Sequence, residues 1–182
     1  MWGRDTAVRV IWLNILLAVF LLLASRSAIA QASDSGGGLP VSVLGRLDPA
    51  LIRAVNVVVR RAEEKLRNTK CQEVLSDFGD GNGRTFRKNL ADRGETASGY
   101  LRWLIFVNAA EEGFCVRETR VAATNPGDRI IRLCAGFRTV AISDPAHAAN
   151  LLIHEELHAL GLGENPPSSY EITRKVVERC GR

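Results

Sequence analysis

Two histidines four positions apart with a glutamate between them, His154-Glu155-Glu156-Leu157-His158, restrict this chain more than any other feature. The pair converges only on a helix. Residues four apart there lie about 40° apart around the axis and ~6 Å apart along it, so both imidazoles face one side. Two nitrogens so placed can hold one zinc ion. Glu155 sits one residue on, where its carboxylate reaches a water near the ion without being a ligand, as a general base in metal-assisted hydrolysis must. Only three histidines occur in 182 residues, so two at this spacing around a glutamate make a poor coincidence.

The flanks agree with a helix. Ser143-Asp144-Pro145 offers a cap and a first-turn proline, and Leu151, Leu152, Leu157 and Leu160 form the apolar stripe. Gly161 and Gly163 then close the helix. After Pro166-Pro167, Ser168 and Glu171 make a capping box for a final helix that reaches Cys180.

Upstream, Asp48-Pro49 followed by Leu51, Ile52, Val55, Val58 and Val59 predicts a helix from Pro49 to about Arg67. Asp77–Arg84 reads as a surface turn, because the spacing and terminal glutamate of a calcium loop are missing. Thr85–Arg93 predicts a short helix ending at Gly94. Tyr100–Val107 has the aromatic and β-branched profile of a buried strand. Thr119–Ala123 and Arg129–Leu133 are strand candidates joined across Asn125-Pro126-Gly127-Asp128, a hairpin signal. The pattern is α+β: an N-terminal helix, a short antiparallel or mixed sheet, the motif helix and a C-terminal helix.

The N-terminal quarter is of another kind. Arg4 and Arg9 precede an apolar run from Val10 to Ala24, and Ala28-Ile29-Ala30 has the small-x-small pattern of a cleavage site. The run is short of the ~20 residues a membrane-spanning helix needs. A signal peptide over 1–30 is therefore expected, then a Ser- and Gly-rich flexible leader over 31–47, then a single domain over 48–182. Cleavage would remove three arginines and one aspartate and lower the net charge from +4 to +2. Scattered Lys and Arg without a basic tract argue against nucleic acid, and no lasting membrane association is expected after cleavage.

Four cysteines, Cys71, Cys115, Cys134 and Cys180, follow the signal segment, which implies an oxidising compartment and two disulfides. Sequence permits three pairings; the preference here is Cys71–Cys115 with Cys134–Cys180. No CxxC pair exists to favour a cysteine metal site.

The motif continues as His154-Glu155-x-x-His158-x-x-Gly161-x-x-Glu164, which resembles the extended metzincin pattern with Glu in place of the last His. The resemblance implies that the chain turns back after Gly161 to offer Glu164 as third ligand, a chemically sound His₂Glu set. The family's methionine turn is absent, since the only methionine is Met1. Two glutamates rival Glu164. Glu171 sits in the capping box, and Glu178 stands twenty residues past His158, a spacing similar to the thermolysin-like gluzincins, whose accompanying acid is replaced here by Arg182. From Cys134 to Cys180, the string LIHEELHALGLGENPP followed by SSYEIT resembles small exported bacterial proteins carrying a metallopeptidase motif. That resemblance implies a zincin-like fold and dependence on zinc.

The remaining candidates read as ordinary. His147 lies ~10 Å along the helix from His154, too far to share an ion. Tyr170 could swing over a metal but reads as a helix-start residue, and Glu156 is expected at the surface or beside a ligand. The functional expectation is a secreted or periplasmic monomeric zinc peptidase acting on a peptide or protein, with Glu155 as base and His154, His158 and Glu164 as ligands. A strand between Arg129 and Val140 would hold the substrate by edge pairing. The alternatives are an exported, disulfide-stapled binding module with a structural zinc and a cell-wall amidase.

Overall fold

In a computed structural model of the chain, the described residues are 42–44, 48–117 and 120–181. The expected signal segment and most of the expected leader lie outside them.

Local chemistry starts the first helix where the sequence indicates. The Asp48 carboxylate accepts from the amides of Ala50 and Leu51 at 2.8 and 3.0 Å, and Pro49 supplies the helical φ at the first position. Helix α1 then runs Pro49–Arg67 and buries Leu51, Val55, Val58, Val59 and Leu66 on one face. Each such side chain contributes about 1.5–3 kcal/mol of transfer free energy. Two single-turn helices follow, α2 (Thr69–Gln72) and α3 (Val74–Asp77). Thr85 caps α4 (Phe86–Asp92), close to the expected span.

The stretch Tyr100–Val107 differs from the single strand expected. Its first half belongs to α5 (Ala97–Tyr100) and a 3₁₀ turn (Leu101–Trp103), and only β2 (Ile105–Asn108) is extended. The reason is a local cap: the Thr96 hydroxyl accepts from the Gly99 amide at 3.0 Å and winds a turn that plants Tyr100 and Leu101 in the core.

Four strands make the sheet: β1 (Ser42–Leu44), β2, β3 (Ala122–Ala123) and β4 (Ile130–Leu133), in the order β1-β2-β4-β3. The β1–β2 and β2–β4 pairs are parallel, with Val43 beside Phe106 and Phe106 beside Ile131, whereas β3 runs antiparallel to β4 at one edge. The expected hairpin through Asn125–Asp128 is present, with the Asp128 amide donating to the Asn125 carbonyl at 3.0 Å. Two expectations change. The segment read as leader holds a strand, because beyond the glycine run Ser42-Val43-Leu44 is apolar enough to join the sheet edge beside β2. The strands sought between Arg129 and Val140 reduce to β4, and β4 is interior, so it offers no free edge. Past Cys134, Phe137 and Ala141 recur at a spacing of four and bury as one face of α7 (Ala135–Ser143).

A short helix α6 (Gly113–Arg117) follows β2, and α8 (Pro145–Ala159) and α9 (Ser169–Cys180) complete the domain. Helix α8 is central: α1, α7 and α9 all pack on it. Phe86, Phe106, Phe137, Leu152, Ile153 and Leu157 fill the core among these elements. The class is mixed α+β. No described helix is long and apolar enough to cross a membrane.

The disulfides are Cys71–Cys180 and Cys115–Cys134, not the pairing preferred from sequence. Both follow from packing of elements distant in the chain. Helix α9 lies against α2, so its last residue meets Cys71 with the Cα atoms 4.2 Å apart. Parallel neighbours β2 and β4 end side by side, with Asn108 facing Leu133, so Cys134 directly after β4 meets Cys115 in α6, the helix that follows β2, with the Cα atoms 5.3 Å apart. Two disulfides fit an oxidising compartment. A non-reducing proteolytic digest is expected to yield a Cys71–Cys180 and a Cys115–Cys134 peptide; a Cys134–Cys180 peptide would overturn this topology.

Candidate metal centre

Most positions from Ala148 to Ala159 are buried, on every side of α8. A helix buried all round has no solvated face on which to place polar groups, so each one needs a local reason. The Asp144 side chain caps the start by accepting from the His147 amide at 2.9 Å. At the other end the Gly161 amide bonds to the His158 carbonyl at 2.8 Å and the Leu162 amide to the Leu157 carbonyl at 3.0 Å. That pair of bonds is the Schellman arrangement, and Gly161 holds the φ of 110° the reversal requires. The chain therefore folds back over the last turn of α8 and returns Glu164 to it.

The result is a cluster. Ligand atoms of His154, His158 and Glu164 lie within 4.8 Å of one another, and among the described residues they are the group suited to a metal. The His154 and His158 Nε2 atoms are 2.9 Å apart, and the His158 Nε2 is 3.4 Å from the Glu164 Oε1. Two nitrogens on one tetrahedral zinc sit about 3.3 Å apart, so closing on an ion needs only a few tenths of an ångström. Each outer ring nitrogen is held as well. The His158 Nδ1 donates to the Leu162 carbonyl at 2.7 Å, and the His154 Nδ1 meets the Thr173 hydroxyl at 2.9 Å. Such outer bonds orient ligating imidazoles. Burial, aided by the neighbouring His158, pushes the His154 pKa down to about 3, so the ring is neutral, as a ligand must be.

These residues line a cavity of about 540 Å³. Arg120–Pro126 also line it, together with Leu151 and Ser169, so β3 borders the cavity that holds the His154–His158–Glu164 cluster. The hairpin turn is tied to the metal helix by the Gly127 amide, which donates to the His158 carbonyl at 2.9 Å.

Glu155 faces this cavity, and its Oε2 has no hydrogen-bond partner among the described residues. Burial pushes its carboxyl up to about 7. Thr124 and Arg120 act against the rise, while Glu164 adds to it.

The rivals for third ligand are engaged elsewhere. Glu171 closes the capping box with Ser168, and Glu178 pairs with Lys175 and Arg174 at 3.3 and 3.6 Å. His147 stays in the first turn of α8, and Tyr170 is 76% exposed. Glu156 departs from expectation. It points neither to solvent nor to a ligand but into the core, 1% exposed, with both carboxylate oxygens unpartnered and burial holding its pKa well above the ordinary range. The cause is the packing of other helices on every side of α8, which periodicity in α8 alone does not reveal. Thr173 and the Leu162 carbonyl also escaped sequence reasoning, because neither residue type signals a role until α9 and the helix-end turn are in place.

No family model matches the chain, and neither a curated protein nor a solved structure does so. The chemistry therefore has to come from the residues themselves.

Two outcomes follow from this geometry. Zinc analysis after dialysis is expected to lose the metal in His158→Ala and weaken it in Glu164→Gln, with Glu171→Gln and Glu178→Gln unchanged. Glu156→Met is expected to raise the thermal midpoint of the zinc-free chain, a gain of about 1–3 kcal/mol from removing an unpaired buried carboxylate. A lower midpoint would show that the carboxylate has a partner.

Proposed function

We propose that the chain is an exported zinc-dependent peptidase of the zincin type, cleaving peptide bonds in an extended protein segment. One observation carries the reading: His154, His158 and Glu164 converge at the wall of a cavity into which the buried, partly unpartnered Glu155 also faces. Two imidazoles and a carboxylate are an established catalytic zinc set that leaves a position open. When bound, zinc supplies a Lewis acid that polarises a carbonyl oxygen and makes a water more acidic.

The remaining work belongs to the protein. With a carboxyl raised to about 7, Glu155 can take a proton from an attacking water and return it to the departing amine near neutral pH. The bond broken is the amide C–N, and water supplies the hydroxyl and hydrogen that complete the two products. Among the described residues strand β3 pairs on one side only, and it borders the cavity, so an extended peptide can pair with its backbone and be held across the cluster. Ala122 and Ala123 keep that wall low. The antiparallel edge strand beside the metal helix also supports a zincin-like arrangement, and the paired cysteines support export.

A structural zinc site gives no reason for Glu155. A carboxylate without a full set of partners is costly inside a protein, and a purely structural centre would be more stable without it. Glu155→Gln is expected to keep one zinc per chain while hydrolysis of a protein mixture falls by at least about 100-fold. A zinc-loaded wild type that digests no protein would overturn the peptidase reading, and digestion of purified peptidoglycan instead would move it to an amidase.

A further inference from the structure

One charged residue of the cavity takes no part in the hydrolysis described above. Among the described residues that line the cavity, Arg120 is the only lysine or arginine, set beside the carboxylates of Glu155 and Glu164. It stands two residues before β3, at the start of the wall along which an extended peptide would pair. The backbone that follows it is fixed. The Cys134 amide donates to the Val121 carbonyl at 3.0 Å, Ala122 pairs with Leu133, and the Cys115–Cys134 bond closes the segment that carries Arg120. Arg120 itself is exposed, and its charge is felt at Glu155. That puts it within about a screening length of the base, ~10 Å. Extended peptide rises about 3.3 Å per residue, so roughly three residues cover the distance.

We infer that Arg120 sets the substrate preference of the site: it selects peptides that carry a carboxylate within about three residues of the bond cleaved, an inference that rests on the peptidase reading. The carboxylate can be an aspartate or glutamate side chain or the free C-terminus, since the chemistry is the same. A guanidinium is always charged, and its planar fork matches a carboxylate with two parallel bonds. Its five donors let it serve a substrate beside the interaction it already has. The formal charges point the same way. A zinc ion would balance Glu155 and Glu164, so Arg120 leaves the described lining with a positive excess. An acidic substrate group offsets that excess, whereas a lysine or arginine at the same place meets like charge. A cation that only steadied Glu155 would act equally on acidic and neutral peptides.

The test maps, by mass spectrometry, the sites cut in denatured casein by zinc-loaded wild type, Arg120→Gln and Arg120→Glu. Wild-type sites are expected to be enriched in nearby Asp and Glu if side chains are read, or to cluster at chain ends if the C-terminus is. Arg120→Gln is expected to lose the enrichment. Arg120→Glu is expected to shift it to Lys and Arg, a gain that misfolding cannot produce. Binding gives a reading apart from activity. Fluorescein-labelled peptides copied from one wild-type site, with the carboxylate or its amide, are titrated by anisotropy into zinc-loaded Glu155→Gln, with and without Arg120→Gln. The acidic peptide is expected to bind about 10–100-fold more tightly than its amide when Arg120 is present, and equally when it is not. Sites without acidic enrichment, an enrichment that survives Arg120→Gln, or equal binding of the two peptides beside Arg120 overturns this inference and leaves the peptidase reading intact. A zinc-loaded wild type that cleaves no protein overturns both.

Discussion

Helix α8 carries two imidazoles and two carboxylates into the interior, and their desolvation governs what surrounds it. Charged forms of His154, Glu155 and Glu156 are disfavoured there. For His154 that penalty is useful, because a neutral ring is what a metal requires. For Glu155 it raises a carboxyl toward neutrality at the cavity wall. Glu156 gains no partner among the described residues, and it stays buried only because Leu152, Ile153 and Leu157 on the same helix contribute enough apolar burial to hold α8 in place.

The precision of the cluster comes from both ends of α8. At its C-terminus the Schellman turn does two jobs with one backbone geometry: it satisfies the Leu157 and His158 carbonyls and presents the Leu162 carbonyl to His158. Helix α9 then brings Thr173 to His154 and is tethered at several points. Arg179 makes a two-pronged ion pair with Asp77 and a further one with Glu73, and Lys65 and Asn150 donate to the Gly181 carbonyl, each at 2.9 Å. The Cys71–Cys180 bond spans 109 residues, which in the chain-entropy description removes about 4–5 kcal/mol of freedom from the unfolded state. Exposed ion pairs contribute far less, ~0–1 kcal/mol each. The covalent tie therefore outweighs the ion pairs and acts beside the burial of Ile172 and Val176 in holding α9, which carries Thr173 to His154.

The sheet has a different part. Its parallel core, β1-β2-β4, is pinned at one end by Cys115–Cys134, while the antiparallel β3 stands at the edge with the metal helix beyond it. The turn after β3 bonds the His158 carbonyl of α8 through the Gly127 amide, which ties the wall to the histidine cluster. A strand that pairs on one side only among the described residues is the natural place for an extended chain to add.

By itself the sequence determined whatever a single turn of chain decides. The span of α1 follows from the Asp48-Pro49 cap and its apolar spacing. The motif helix follows from Asp144-Pro145 and Gly161, and convergence of His154 and His158 follows from a separation of four. Even Glu164 was legible, since the turn that returns it begins at a glycine two residues past the helix. Tertiary structure decided the rest. Cysteine pairing depended on which strands and helices are neighbours, the burial of Glu156 on what packs around α8, the one-sided pairing of β3 on strand order, and the Thr173–His154 bond on the docking of α9. The division has one physical cause. Caps and i,i+4 relations involve atoms a few residues apart, whose geometry the backbone dictates, whereas contacts 19 or 109 residues apart exist only once the core has closed.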